Sequence, residues 1–331
     1  MATIPLSPPV TVPAVLRPRN RRARKSFLRS SGRFYLFASP WLLGFVVLTV
    51  FPLAYALMIS FTNFDGINEH FRWVGWRNYL EVFADPFAVQ GMVRTVLYTA
   101  ITVPLSVAGG LGLAVLLNRR MRAMGLFRTI FYLPSVVPIV ASAIVWQLVF
   151  NRDSGIANAL LEIFHGPVVT WLIDPTAFYA LIVMVLWGMG GGMIISLAGL
   201  QNVPTDLLEA AKIDGAGAWR RLWEITVPII SPVLFFQVVT NIIYALQTLI
   251  QPLLLAPNTT TAGAGATTAN VPAGNQLYMV HVYTEFFTFQ RFGYGSALLW
   301  VLFALILLIT LLVFRSSATW VYYEIDNEGS R

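Results

Sequence analysis

Two stretches of the sequence set polar or charged residues at spacings that could do chemistry. The first reads Glu209-Ala210-Ala211-Lys212-Ile213-Asp214-Gly215-Ala216-Gly217-Ala218-Trp219 and continues to Ile225-Thr226-Val227-Pro228. Thr205 can cap a short helix here, with Asp206 favourable at its positive end. Leu207, Leu208 and Ala211 make an apolar stripe at helical spacing. Gly215 can end that helix in the left-handed conformation, and a second short helix runs from Ala218 to about Ile225. The product is a helix–glycine–helix knob. Its small alanines permit close approach by another protein, and Glu209 offers a charge at its tip. An amphipathic loop lying on a membrane surface would show the same pattern. The second stretch is Thr240, Asn241, Tyr244, Gln247 and Thr248, which recur at three and four residues and so share one sector of a helix. Neutral hydrogen-bonding groups and an aromatic ring suit a sugar, whose hydroxyls need partners and whose CH faces stack. The same residue types also hold membrane helices together.

The elements that must position these residues are apolar. The chain has 331 residues, 57% hydrophobic and 11% charged, where soluble domains carry roughly 25% charged residues. Its mean hydropathy is +0.69. Six segments are long enough to cross a hydrocarbon core: about Phe34–Phe61, Val93–Leu117, Thr129–Phe150, Ala177–Leu197, Pro228–Ile250 and Gly295–Phe314. Each must be helical, because lipid offers no partner to unpaired backbone groups. The expected fold is an all-α polytopic membrane bundle. Residues 1–33 form a basic, Pro-rich tail, 34–315 the membrane domain, and 316–331 a C-terminal tail. Within the domain lie a polar loop over 199–227 and a flexible Thr/Ala-rich loop over 251–276. Asn258-Thr-Thr matches a glycosylation pattern, read as a chance match in a Thr-rich loop.

Charge orients the spans. Eight of the 22 basic residues lie between Arg17 and Arg33. The second connection holds Arg119, Arg120, Arg122 and Arg128 without an acid, and the fourth holds Lys212, Arg220 and Arg221. The odd-numbered connections are poorer in basic residues. By the positive-inside rule both termini and the even-numbered connections are cytoplasmic. The net charge of +7 is therefore a membrane-flank signal, and no nucleic-acid partner is expected.

Several chemistries are missing. There is no Gly-Lys-Ser/Thr phosphate loop, and the lysines are Lys25 and Lys212 alone, so the chain cannot bind ATP by that mechanism. It has no cysteine. No metal-ligand cluster and no nucleophile–base pair emerges, so no catalytic residue is assigned. No span interior carries an ionisable group, with Arg94 at an outer edge, which disfavours a proton relay. His70, His165 and His281 all fall in outward connections. Active transport would need energy from a partner.

The Glu-Ala-Ala run, then Ile-Asp-Gly-Ala and Ile-Thr-Val-Pro, resembles the coupling loop of ABC importer permeases. Ser60-Phe61-Thr62-Asn63-Phe64 with Trp73-Val74-Gly75-Trp76-Arg77-Asn78-Tyr79, Leu126-Phe127-Arg128-Thr129-Ile130-Phe131-Tyr132-Leu133-Pro134, and Ala198-Gly199-Leu200-Gln201-Asn202-Val203-Pro204 are similar to other signatures of that family's maltose and glycerol-3-phosphate type. The similarity covers roughly residues 34–315. The loop after the fifth span departs from it, being longer than the usual Gly-Gly-Pro turn. The resemblance implies a type I importer permease in a bacterial-type inner membrane. It implies a second permease subunit, an ABC ATPase dimer that holds ATP and Mg, and an extracytoplasmic solute-binding protein. This chain would hold no cofactor or metal. Glu209, Ala210, Ala211, Asp214, Gly215, Ala216 and Gly217 would engage the ATPase. The fourth and fifth spans would line the path, with Met184, Gly188, Thr240, Asn241, Tyr244 and Gln247 as candidates. The run Gly188-Met189-Gly190-Gly191-Gly192 could pack helices closely or let the fourth span unwind around a solute. An ion-coupled carrier and a non-transporting scaffold are the rival readings.

Overall fold

The computed structural model describes residues 37–68, 71–119, 122–257 and 268–322. The basic tail over 1–33, Asn258 and the centre of the Thr/Ala-rich loop lie outside the described residues. The chain divides after Ala56 into two units. The first contains most of α1 (Phe37–Ile59), whose Trp41 and Phe45 rings stack at 5.6 Å. The turn Val46–Val50 widens to a π-helix, with Phe51 N–H bonded to Val46 O. Pro52 follows; a proline has no N–H and its ring crowds the carbonyl four residues back, so a wider turn fits it.

The second unit holds the rest. Its helices are α2 (Arg77–Ala84), α3 (Pro86–Leu117), α4 (Met124–Val136), α5 (Ile139–Val149), α6 (Ile156–Ile163), α7 (Ala177–Trp187), α8 (Gly190–Gln201), α9 (Thr205–Ile213), α10 (Ala218–Leu246), α11 (Ile250–Leu255), α12 (Tyr278–Phe287) and α13 (Phe292–Trp320). Among the described residues there is no strand; Thr62 and Trp73 form an isolated antiparallel bridge. Helices α1, α3, α10 and α13 are each long and apolar enough to cross a membrane. Two further spans are broken: α4 and α5 meet at 100°, and α7 and α8 at 43°.

Several expectations change. The third span is not one helix, because Val137 and Pro138 take extended ψ values of 130° and 139°, as the residue before a proline tends to do. The fourth breaks at Gly188–Met189. The second begins seven residues before Val93, at Pro86 in the first helical turn. There the Asp85 side chain accepts the Phe87 amide at 2.8 Å, so Arg94 lies two turns inside a helix. The short helix expected to stop near Ile225 instead continues through Pro228 into the fifth span. A second π turn, Leu222–Thr226, takes up that proline as the first takes up Pro52. At its other end α10 stops at Leu246, before the expected Ile250. The loop over 251–276 is partly structured, by α11 and two 3₁₀ turns. The last helix runs to Trp320, past the boundary set at 315.

The core forms where backbones meet. A Cβ on Gly110 of α3 would lie 3.1 Å from Met193 N and 3.2 Å from Gly192 C; one on Gly190 would lie 1.9 Å from Phe131 O. Glycine at these positions lets α8 lie directly on α3 and α4. Ala114, Leu117, Met193, Leu197, Leu200, Ile230 and Leu234 fill the space around that contact. A second cluster, including Tyr98, Leu181, Met184, Ile242 and Leu246, lies nearer the other end of α3.

The first, third and fifth connections meet at one end of the second unit. Asn78 donates to Ser60 O and Thr62 O at 2.8 Å each. Asn158 donates to Arg152 O and Val169 O and accepts from Val169 N and Trp171 Nε1, all between 2.8 and 3.1 Å. The Asp174 carboxylate accepts the Ala273 and Gly274 amides at 2.7 and 2.8 Å. These side chains supply partners that irregular backbone lacks. At the opposite end Arg128 donates to Leu117 O, and Tyr322 N–H to Ser231 Oγ at 2.8 Å.

Asn158→Leu should therefore strip partners from one indole and three backbone groups. The expected loss is about 3 kcal/mol, read as a lower unfolding temperature of the chain in lipid nanodiscs. An unchanged unfolding temperature would contradict the role given to Asn158.

Candidate functional site

The knob forms at the end of the unit shared by the second and fourth connections. Helix α9 begins one residue earlier than the expected cap at Thr205 implied. Pro204 holds the cap position with ψ 124°, and Thr205 is the first helical residue. Asp206 lies in the first turn and Lys212 in the last, each favourable to the helix dipole. Gly215 has φ +81°. Ala216 N–H bonds Ala211 O at 2.9 Å and Gly215 N–H bonds Lys212 O at 3.1 Å, the pairing of a Schellman motif. The chain then reverses through Gly217 into α10.

Glu209, Ala210, Lys212, Asp214, Gly215 and Gly217 are exposed, and Ala211 and Ala216 partly so. Among the described residues Glu209 has no ion-pair partner. Ile213 is 87% exposed and Trp219 72%, a large apolar surface for so short a loop. A cavity of about 550 Å³ lies beneath, lined by Pro204, Leu207, Glu224, Ile225, Pro228, Ile229, Pro232 and Tyr322. The turn thus leaves the Glu209 carboxylate and the Ile213 side chain, one helical turn apart on α9, on the same exposed face.

The polar stripe of α10 divides in two. Tyr244 is 76% exposed and Gln247, which ends the helix, is also exposed. Thr240 and Asn241 are half-buried and bond back to their own helix, at Phe236 O and Gln237 O. Thr248 is buried and bonds Tyr244 O. Thr248 also hydrogen-bonds the Tyr98 hydroxyl of α3, so the buried end of the stripe ties two helices together while Thr240 and Asn241 bond only within their own. Gly188, at the break in the fourth span, is half-exposed, whereas Met184 is buried among the core residues around Tyr98 and Leu181. Met184 thus does not share the open face of Tyr244.

One residue was missed. Gln237 is buried, and its Nε2 donates to Ser196 Oγ of α8 at 2.9 Å. Its Oε1 has no partner and would lie 3.0 Å from a Cβ on Gly192. It continues the stripe one turn beyond Thr240 and Asn241, so the three-and-four spacing already contained the signal. Here the polar residue joins two helices.

The end that carries Asn78, Asn158 and Asp174 also holds a charge cluster that no local pattern announced. His281 Nε2 is 3.0 Å from Asp85 Oδ2, Tyr294 Oη donates to the same oxygen at 2.9 Å, and Arg291 pairs with Glu285 at 3.2 Å and also with Glu81. Burial holds His281 below the usual histidine range despite the attraction of Asp85. Burial likewise raises Glu285, against the pull of Arg291. Burial would raise Asp85 too, but hydrogen bonds from Tyr294 and the Phe87 amide, with the charge of His281, hold it low. The absence of any metal-ligand cluster, expected from local spacing, does not hold here. Asp85, His281 and Glu285 bring their ligand atoms within 4.8 Å of one another, across 196 residues of sequence.

Comparison with known proteins places this geometry. Residues 106–323 match the family described as the binding-protein-dependent transport system inner membrane component. A probable ABC transporter permease protein of Bacillus subtilis, YesP, is 36% identical over 94% of this chain and 97% of its own length. The lactose transport system permease protein LacF of Rhizobium radiobacter is 31% identical over 86% of this chain and 93% of its own. The crystal structure of a bacterial alginate ABC transporter, in complex with its alginate-bound periplasmic protein, contains a chain of the same fold. The TM-score is 0.75 at 19% identity, covering 88% of this chain and 96% of that one. The chain belongs to the binding-protein-dependent transport family: it is a multi-pass inner-membrane permease subunit of an ABC importer and not itself an enzyme.

Proposed function

We propose that this permease passes a sugar or oligosaccharide into the cytoplasm by alternating access, driven by an ATPase dimer docked on the α9 knob. The observation that carries the docking reading is the knob's left-handed turn at Gly215, which leaves unpaired Glu209 and exposed Ile213 on the same face of α9. An extracytoplasmic binding protein would deliver the solute, and a second permease subunit, similar or identical, would complete the path. ATP and Mg belong to the ATPase partner, and this chain holds neither. The basic residues of the second and fourth connections support a cytoplasmic position for the knob and for both termini. The sugar reading rests on the open, uncharged pair Tyr244 and Gln247 and on the lactose permease among the relatives. Gly188, Thr240 and Asn241 would border the same path. The buried position of Met184 leaves it a supporting role behind them.

Orientation is checked by single cysteines, since the chain has no native one. In intact cells, Gly217→Cys should resist a membrane-impermeant thiol reagent and Asn68→Cys should react. The reverse pattern would overturn the topology.

Coupling is checked on the assembled complex in lipid nanodiscs. Glu209→Ala removes a charged hydrogen-bonding group worth roughly 1.5–3 kcal/mol, so ATPase docking should weaken on the order of 10- to 100-fold. Gly215→Val places a β-branched residue at positive φ, where side chains are strained, and should weaken docking and solute-stimulated ATP hydrolysis together. Normal docking and stimulation in both variants would remove the coupling assignment. An ion-coupled carrier would instead keep transporting without the ATPase and stop with an uncoupler.

The path is checked by Tyr244→Ala and Gln247→Ala. Each should cut sugar uptake several-fold while leaving the complex assembled. Wild-type uptake in both would show that the open face of α10 serves assembly rather than solute.

A further inference from the structure

Asp85, His281 and Glu285 form a compact donor set outside the proposed transport path. Asp85 caps α3, while His281 and Glu285 are one turn apart on α12 and so share a face. His281 Nε2 lies 3.0 Å from Asp85 Oδ2 and 4.0 Å from Glu285 Oε1. The three side chains are 11%, 17% and 6% exposed for His281, Asp85 and Glu285. Phe87 stacks against the imidazole with ring centroids 6.4 Å apart.

Two details distinguish this cluster from a completed ion-pair network. The first is an available oxygen. Arg291 engages Glu285 through Oε2, and among the described residues no hydrogen bond reaches Oε1, which lies 4.0 Å from His281 Nε2 on a nearly buried side chain. The second is charge. Glu81, Asp85 and Glu285 are three carboxylates sharing one guanidinium, Arg291, which pairs with two of them. Tyr294 adds a hydroxyl and no charge. With a neutral imidazole the group carries an excess of two negative charges in a partly dry site. A half-buried charge excess of this kind is costly unless a cation balances it.

We propose that Asp85 Oδ2, His281 Nε2 and Glu285 Oε1 bind a divalent transition metal, of which zinc fits best, in the permease's solvent-facing connections. Donor atoms within 4.8 Å of one another can close around an ion held at about 2.0–2.2 Å from each. One imidazole nitrogen with two carboxylate oxygens suits zinc or a first-row neighbour better than magnesium or calcium, which take all-oxygen shells. The outer partners are in place: the Phe87 amide holds Asp85 Oδ1, the Tyr294 hydroxyl reaches Oδ2, and Arg291 holds Glu285 Oε2. Such contacts fix the orientation of ligating carboxylates. The ion would tie the start of α3 to α12, and so the first connection to the fifth. Nothing in this inference depends on the solute or on the coupling loop.

The test uses the full chain in lipid nanodiscs, stripped of metal by a chelator and titrated with zinc against a chromophoric competitor. One equivalent should bind with micromolar or tighter affinity and raise the unfolding temperature. Glu285→Gln and His281→Ala should each weaken that site at least 10-fold. His165→Ala, a histidine in a different connection, should leave it unchanged. X-ray absorption on the wild-type zinc form should show one imidazole and at least two oxygens at about 2.0–2.2 Å. A shell of several imidazoles, no stoichiometric zinc in the wild type, or wild-type affinity in Glu285→Gln would each overturn the proposal.

Discussion

Backbone amides and carbonyls in a hydrocarbon layer need partners, and where a span is interrupted neighbouring protein must supply or cover them. The break at Gly188–Met189 shows how. Gly190 lies so close to Phe131 O that no side chain could stand there, and Gly110 brings α3 into close, though looser, contact with Gly192 and Met193. The interrupted span is thereby walled by α3 and α4. A single methyl group at Gly190 would push α8 off α4 and open the broken segment to lipid. The close packing and the interruption, which stand as alternatives in the sequence, occur together: the glycines that let the helix break also let its neighbours close over it.

Proline raises the same problem within continuous helices. Pro52 and Pro228 each follow a π turn, which relocates the bonds that a proline cannot make. For Pro228 this has a mechanical consequence. The knob's second arm is the start of the fifth span, one helix from Ala218 to Leu246. Force applied at the α9 turn has no loop in which to dissipate before reaching Gln237, Asn241 and Tyr244. The Gln237–Ser196 bond links that helix to α8, so the two spans flanking the knob are joined on both sides of it.

The two ends of the second unit differ in how their irregular backbone is held. At one end Asn78, Asn158 and Asp174 saturate loop amides and carbonyls, and the cluster around Asp85 and His281 ties helices far apart in sequence. At the other, the α9 knob is ordered by its own Schellman pairing and leaves its charged and apolar side chains outward. The first arrangement suits a frame; the second suits a surface completed by another protein.

The sequence by itself determined the all-helical class, the approximate spans, the family resemblance and the positive φ at Gly215. These follow from local quantities: run length, composition, and the inability of a side chain to sit comfortably where a helix ends in the left-handed region. It also specified the polar stripe of α10, though not which of its members are open. Only the tertiary structure decided that Tyr244 faces outward while Met184 is buried, because burial depends on which neighbouring helix arrives, and helical spacing is silent on that. The 100° bend between α4 and α5 was equally hidden. A proline permits a kink, but its angle is set by what packs on either side. The cluster of Asp85, His281 and Glu285 joins residues 196 positions apart, and no periodicity can encode such a meeting. It exists because α12 folds back against the start of α3, where the fifth connection returns to the first.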